Sequence, residues 1–297
     1  MKTKLIDYVD NGPIFITGHV NPDGDALGSA FALKLFLDTQ NIISDVDFDI
    51  TTKLPSNLNH LPYHLISDDL KEKYNTVFVF DCGNSSRLGK YEEVVLAAEN
   101  IVVIDHHVDP SFGDVQIIDP HAASTTQVLF RQFKDENIEI NEEMANCLLT
   151  GLITDTGRFQ YSNTTSEVFS IAAELLGNGA NLSKISENIY GSIEFNALTL
   201  QSKIIERIVL NEDLQFAHSI VFQNDYKDYQ VEPEETDFLI DVVRLVKEST
   251  VALLIKEQED GSFKGSLRSR GDIDVQKIAS IFGLSLIHIW RCRRRPL

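Results

Sequence analysis

Short apolar runs of strand length recur through the first 120 residues, and most of them end on acids, histidines or small residues. Pro13 to Thr17, Ile42 to Ile50, Thr76 to Phe80, Ile101 to Ile104 and Val115 to Ile118 have this character. Thr76 to Phe80 carries no charge and predicts a strand buried on both faces, whereas Ile42 to Ile50 places aspartates at alternate positions and predicts one wet face. Between the runs, Leu27 to Leu37 and Tyr91 to Glu99 have helical spacing, and Thr52 to Leu70, rich in Pro, Asn and His, predicts loop with a short helix. Strands alternating with helices predict an α/β fold, a doubly wound and mainly parallel sheet. Helices are then expected over Ser124 to Asn137, Asn141 to Thr154, Ser166 to Leu176 and Leu182 to Ile189, with Gly177-Asn178-Gly179 as a stop. Glu194 to Val209 reads as one long helix. Beyond it, strands at Leu214 to Phe222, Val251 to Lys256 and Ser262 to Arg268, with helices at Pro233 to Lys247 and Asp274 to Phe282, predict a second, smaller α+β domain. The expected divisions are 1–190, a helical linker at 191–212, a second domain at 213–284 and a separate tail at 285–297.

Composition narrows this picture. With 297 residues and 43% hydrophobic content the chain can bury two cores. No apolar stretch approaches the roughly 20 residues that span a bilayer. Met1 to Asp10 is mixed and charged, unlike a secretory leader, so a cytoplasmic protein without membrane contact is expected. Cys82, Cys147 and Cys292 form neither a CxxC site nor a disulfide framework. The net charge of −19 argues against a basic track for long duplex nucleic acid, yet leaves room for a small phosphate substrate held through metal ions. The tail departs from all this: Ile287-His288-Ile289-Trp290-Arg291-Cys292-Arg293-Arg294-Arg295 is basic and holds the sole tryptophan, and is set aside as non-native.

The candidate chemistry lies at element ends. Gly18 to Gly28 joins the first strand to the first helix and holds His19, Asp23 and Asp25, with Pro22 and Gly24 forcing a turn. Two carboxylates and an imidazole suit Mn²⁺ or a similar divalent ion. The competing reading is a plain turn, with Asp25 capping the helix and His19 unliganded. Asp81 follows the third run, Asp105-His106-His107 the fourth, and Asp155 closes a helix. Each alone has a structural explanation. A parallel sheet, however, gathers successive strand C-termini along one edge, and all four converging there by accident is far less expected.

These motifs carry a resemblance. His19-Val20-Asn21-Pro22-Asp23-Gly24-Asp25-Ala26-Leu27-Gly28-Ser29, Asp81-Cys82-Gly83, Asp105-His106-His107 and Thr154-Asp155-Thr156-Gly157, in this order and spacing, resemble the DHH phosphoesterases, most closely the bacterial oligoribonuclease and pAp phosphatase group. The resemblance implies a catalytic domain at 1–190 and a substrate-binding domain after the linker. It implies two Mn²⁺, with Mg²⁺ or Co²⁺ as substitutes: one on His19 and Asp23, the other on Asp25, His106 and Asp155, and Asp81 bridging both. Such a pair activates water and neutralises phosphoryl charge. His107 would then face the scissile phosphate, and Asp105 would accept a hydrogen bond from a histidine, or simply hold the turn. Ser124 and Thr125 would contact substrate, or cap the following helix. In Gly265-Ser266-Leu267-Arg268-Ser269-Arg270-Gly271, Arg268 is chosen for a terminal phosphate, with Ser269 alongside and Arg270 able to exchange roles with it.

The activity implied is cleavage of very short RNA and of 3′-phosphoadenosine 5′-phosphate (pAp). Linear or cyclic dinucleotides are the alternative substrates, and a nucleotide-binding module without turnover is the alternative class. A pyrophosphatase is disfavoured by the Arg268 region, and a Rossmann dehydrogenase by the lack of G-x-G-x-x-G after the first strand. Oligomeric state is left open, a homodimer included. One departure stands out: after Ile281-Phe282-Gly283 the family continues into glycines ending in a histidine, and here Leu284 and the tail follow.

Overall fold

Five strands, each parallel to its neighbours, form the first sheet in the order β2-β1-β3-β4-β5: β1 Ile14–Gly18, β2 Ser44–Val46, β3 Thr76–Phe80, β4 Asn100–Asp105 and β5 Val115–Ile118. The computed structural model describes residues 4–9, 12–51, 53–107, 111–191, 193–270, 273, 275, 277 and 278. The Ile281-Phe282-Gly283-Leu284 stretch, the tail with Cys292 and most of the expected Asp274 to Phe282 helix lie outside the described residues. The chain divides into two compact units, Met1–Gly191 and Ser192–Leu297.

In the first unit the period-2 alternation of the strands sorts side chains to two cores. Ile14, Ile16, Phe78, Phe80, Val102 and Ile104 share one core with the helices α1 (Gly24–Thr39), α3 (Thr125–Asp135), α4 (Glu142–Asp155) and α5 (Ser166–Gly177), whereas α2 (Glu92–Leu96) lies on the other face. There Phe15, Val77, Val79, Ile101 and Val103 pack with Tyr74, Leu88, Tyr91 and Val95. The sheet is thus covered on both sides, as continuous apolar strands require. α1 is apolar nearly all round because it is buried nearly all round, and it lies so close to α4 that a Cβ on Gly28 would stand 2.4 Å from the Cys147 carbonyl oxygen. The short α6 (Leu182–Ser186) closes the unit.

β2 is shorter than the Ile42 to Ile50 run. Asp45, Asp47 and Asp49 do alternate toward one side, but Asp47 receives the Tyr91 hydroxyl and Asp49 Oδ2 receives the Lys90 amide at 2.8 Å, so the chain leaves the ladder to anchor the segment after β3.

The second unit carries a mixed sheet in the order β6-β7-β8-β9: β6 Val209–Asn211, β7 Phe216–Val221, β8 Val251–Glu257 and β9 Phe263–Ser269. β7 and β8 are parallel, and both outer pairs are antiparallel. Residues 191–212, expected as linker, contain α7 (Phe195–Glu206) and β6, and Ala197, Leu200 and Ile204 of α7 join the core of this unit with Ala217, Val221, Leu239 and Leu254. The expected Pro233 to Lys247 helix is broken: a 3₁₀ turn at Pro233–Thr236 precedes α9 (Leu239–Arg244). α8 (Gln223–Tyr229) was not anticipated.

The Asp225 carboxylate ties this unit together. It accepts from Arg207 Nη2 at 2.9 Å and from the Phe222 amide at 2.8 Å. Burial works against its charge, but the Arg207 and Phe222 hydrogen bonds outweigh it and hold the pKa below the usual carboxylate range. A depressed carboxyl contributes stability above its unfolded pKa, near 4, and loses it as pH falls through the folded value. Asp225→Asn is therefore expected to destabilise the second unit by about 1.5–3 kcal/mol at pH 7. Variant and parent should converge as pH falls through the folded value of Asp225; an equal deficit at pH 7 and in acid, in thermal melts across pH, would contradict the assignment.

Candidate metal centre

Three adjacent strands deliver the donors. β1 ends at Gly18 and hands over to His19, β3 ends before Asp81, and β4 ends on Asp105, followed by His106 and His107. Asp155 arrives from another direction, as the last residue of α4. Asp81 sits in left-handed backbone, φ 53°, a conformation that Asp tolerates better than most residues with a Cβ. At the head of α1, Asp23 rather than Asp25 is the N-cap: its Oδ1 accepts from the amides of Asp25 and Ala26 at 3.0 and 3.1 Å. That frees Asp25 to point inward, where Oδ2 accepts from the Thr125 amide at 2.6 Å and Oδ1 from the Thr126 amide at 2.9 Å. A carboxylate is favoured there by the first amides of α3.

The histidine rings are aimed by backbone. His19 Nδ1 lies 2.9 Å from the Val20 carbonyl and His106 Nδ1 lies 3.4 Å from that of Ala122. A carbonyl only accepts, so Nδ1 carries the proton and Nε2 offers its lone pair in the neutral ring. His19 Nε2 then faces Asp81 Oδ2 at 3.5 Å and Asp23 Oδ1 at 3.9 Å. His106 Nε2 faces Asp155 Oδ2 at 3.2 Å, Asp81 Oδ1 at 3.6 Å and Asp25 Oδ2 at 4.0 Å. The two oxygens of Asp81 are thereby divided between two donor groups.

Three sets of donor atoms lie within 4.8 Å of one another: His19, Asp23 and Asp81; Asp25, His106 and Asp155; and Asp81, Asp105, His106 and His107. Among the described residues, every ion-pair partner of Asp23, Asp25, Asp81, Asp105 and Asp155 is a histidine. Burial, then the charges of Asp81 and Asp23, hold the Asp25 carboxyl well above the usual range; burial and Asp25 do the same to Asp155. Asp81 goes the other way: burial opposes its charge, but His107, His19 and His106 outweigh it. Burial lowers the His106 pKa. Asp155 Oδ1 and Asp105 Oδ2 are buried without hydrogen-bond partners among the described residues. Lone pairs aimed at carboxylates, and carboxylates crowded without Lys or Arg, are costly unless cations join them. Divalent ions fit this set.

His107 stands apart. Its Nδ1 lies 2.7 Å from Asp105 Oδ1 and 3.3 Å from Asp81 Oδ1, and its side chain is 45% exposed, unlike those of His19 and His106. Burial opposes a charged ring, but Asp81 and Asp105 outweigh it and push the pKa up to about 11. Asp105 also accepts the amides of His106 and His107 at 2.7 and 3.0 Å, so it holds the turn and the ring together.

Other expected residues have different surroundings. Ser124 is buried and caps α3, its Oγ accepting the Gln127 amide at 3.0 Å. Thr125 is buried as well and donates its hydroxyl to Asp81 Oδ1 at 3.0 Å. On β9, Arg268 Nη1 donates to the Leu267 carbonyl at 3.0 Å, and the buried Ser269 donates to the Ile273 carbonyl at 2.8 Å; after the strand, Arg270 donates to the Arg244 carbonyl. Asn163 was not singled out from the sequence: its Nδ2 donates to the carbonyls of Asp155 and Ala123 at 3.0 and 3.2 Å, holding the end of α4. An asparagine in a Ser-Asn-Thr-Thr loop gives no local sign of such a tie. Cys82, beside Asp81, is buried and its thiol is pushed up to about 12, which makes it a packing residue rather than a nucleophile. Among the described residues no helix is long and apolar enough to cross a membrane.

A parallel sheet that brings Asp and His donors to its C-terminal edge in ion-sized clusters defines an α/β protein with a candidate metal centre. The model of the DHH family, N-terminal domain, matches residues 13–152. The bifunctional oligoribonuclease and PAP phosphatase NrnA of Thermus thermophilus is 32% identical over 281 residues, covering 92% of this chain and 81% of that protein. The protein of the same description from Bacillus subtilis is 28% identical over 219 residues, covering 72% of this chain and 68% of its own. The crystal structure of an exopolyphosphatase-related protein from Bacteroides fragilis superposes with a TM-score of 0.87 at 25% identity, covering 93% of this chain and 85% of that one. The chain belongs to the DHH family of phosphoesterases.

Proposed function

We propose that this chain is a manganese-dependent phosphohydrolase that degrades very short RNA oligonucleotides and converts 3′-phosphoadenosine 5′-phosphate to AMP. The observation that carries this reading is the division of the two Asp81 oxygens between the His19–Asp23 group and the Asp25–His106–Asp155 group. The substrate class is supported by the likeness to the two NrnA proteins. His19 and Asp23 would hold one ion, Asp25, His106 and Asp155 the other, and Asp81 would serve both. When bound, two divalent ions supply Lewis-acid charge at the phosphoryl group and activate the attacking water.

The side chains supply the rest. Thr125 and the amides of Thr125 and Thr126 keep Asp81 and Asp25 from rotating. His107, held by Asp105 at Nδ1, presents a protonated Nε2 that donates to the leaving oxygen and stabilises phosphoryl charge. Arg268, Ser269 and Arg270 are the candidates for holding a second phosphate, a role a guanidinium performs bidentately.

Phosphate release from pAp and shortening of a labelled RNA trimer, run beside linear and cyclic dinucleotides with Mn²⁺ added or chelated, test this. Preferred turnover of the dinucleotides would redirect the substrate assignment; no turnover of any would remove the enzyme reading. Metal also bears on stability. Mn²⁺ at 100 times its Kd is expected to stabilise chelator-stripped protein by about 2.7 kcal/mol, reversibly with EDTA. An unchanged melting temperature would contradict the fit of the donor set.

A further inference from the structure

The turn that follows Asp155 is held in left-handed backbone. Gly157, Arg158 and Phe159 have φ of 53°, 62° and 63°, three consecutive left-handed residues of which two carry side chains. Such backbone is disfavoured for residues with a Cβ and persists where surrounding contacts enforce it. Here they do. The Arg158 amide donates to the Ile153 carbonyl at 2.9 Å, the Phe159 amide to Thr156 Oγ1 at 3.2 Å, and the Phe159 ring packs on Phe169 at 5.3 Å between centroids. A Cβ on Gly157 would fall 2.2 Å from the Tyr161 ring, so the chain passes that ring with no room to spare.

What this fixed turn displays is the Arg158 guanidinium, laid on the Tyr190 ring with its central carbon 3.7 Å from the centroid. Arg158 is exposed, and among the described residues it forms no ion pair. It stands three positions after Asp155, at most about 11 Å of chain, and the bond to Ile153 folds it back toward the end of α4. Tyr190 lies against the guanidinium, and Arg158 is exposed to solvent.

We infer that the stacked Arg158–Tyr190 pair is a nucleobase platform, on which the base of a nucleotide lies when its phosphate is at the Asp–His cluster. The inference rests on the phosphohydrolase reading for its ligand class. Arginine planes and aromatic rings stack bases of any sequence, and a guanidinium already held over a ring loses little freedom in doing so. A contact of this kind suits short substrates of mixed sequence, because it reads the presence of a base rather than its edge.

The test compares AMP with ribose 5-phosphate, which lacks the base, by calorimetric titration of the Mn²⁺-loaded full chain. The parent is expected to bind AMP roughly 10-fold more tightly. In Arg158→Ala that preference should vanish while the affinity for ribose 5-phosphate stays, and Arg158→Lys, which is cationic but not planar, should not restore it. Fluorescence of 2-aminopurine riboside 5′-phosphate should be quenched by the parent and not by Arg158→Ala. No preference for AMP in the parent, a preference kept in Arg158→Ala, or an equal loss for both ligands with rescue by Lys, would overturn the platform. Phosphate release from pAp by the parent, measured on the same preparation, reports separately on the enzyme reading.

Discussion

Asp81→Asn is expected to lower turnover of pAp and of short RNA by roughly 1,000-fold or more, about 4 kcal/mol of transition-state stabilisation. Asparagine keeps the size of the side chain and tolerates the left-handed backbone at this position, φ 53°, so the loss would not come from the turn. What it removes is the negative charge that His19, His106 and His107 all face, and one of the oxygens offered to the two donor groups. The variant should keep the fold. Near-parental kcat with intact Mn²⁺ binding would show that Asp81 does not join two ions; unfolding would be visible as lost far-ultraviolet dichroism and would call for reading the neighbouring Asp155→Asn instead.

The second large effect is structural. Gly28→Ala places a methyl group 2.4 Å from the Cys147 carbonyl oxygen, a backbone atom in the middle of α4 that cannot step aside. Overpacking of this kind costs about 1–3 kcal/mol, and a backbone obstacle argues for the upper end. That corresponds to a fall of roughly 6–12 °C in the melting temperature of a unit of this size. Because Asp25 lies in the first turn of α1 and α4 ends with Asp155, separating the two helices also spreads the donor set, and Mn²⁺ affinity should fall with stability. Gly177→Ala is the control: a Cβ there meets nothing within 4 Å, and the melting temperature should hold. Equal behaviour of the two variants would contradict the close helix contact.

Much of the first unit is legible in the sequence because most of its strands are short apolar runs, and the central three, β1, β3 and β4, are buried on both faces. Thr76–Phe80 and Val115–Ile118 have the bounds that their apolar runs predict. The donors are legible for a related reason: Asp and His stand where apolar runs stop, and a parallel sheet turns those stops into one edge. The second unit is harder to read. β6 has three residues, too few for a period, and of the seven residues of α8 only Asp225 and Tyr226 are buried, so no apolar stripe marks it. Pro233 to Lys247 has helical composition, but the segment folds as a 3₁₀ turn followed by six residues of α9. Within the site, the exchange of roles between Asp23 and Asp25 is invisible from spacing, since either could cap α1; the amides of Thr125 and Thr126, a hundred residues away, decide it. Long-range ties to backbone leave no local signature.

The proposed two-ion hydrolytic centre consists of His19, Asp23, Asp25, Asp81, His106 and Asp155. Its most direct test is titration of Mn²⁺ into metal-stripped protein with bound metal and phosphate release from pAp followed together. Turnover that rises until two ions are bound per chain, and stops on chelation, is the predicted result. Turnover without metal, or two ions bound with no phosphate released, would contradict it.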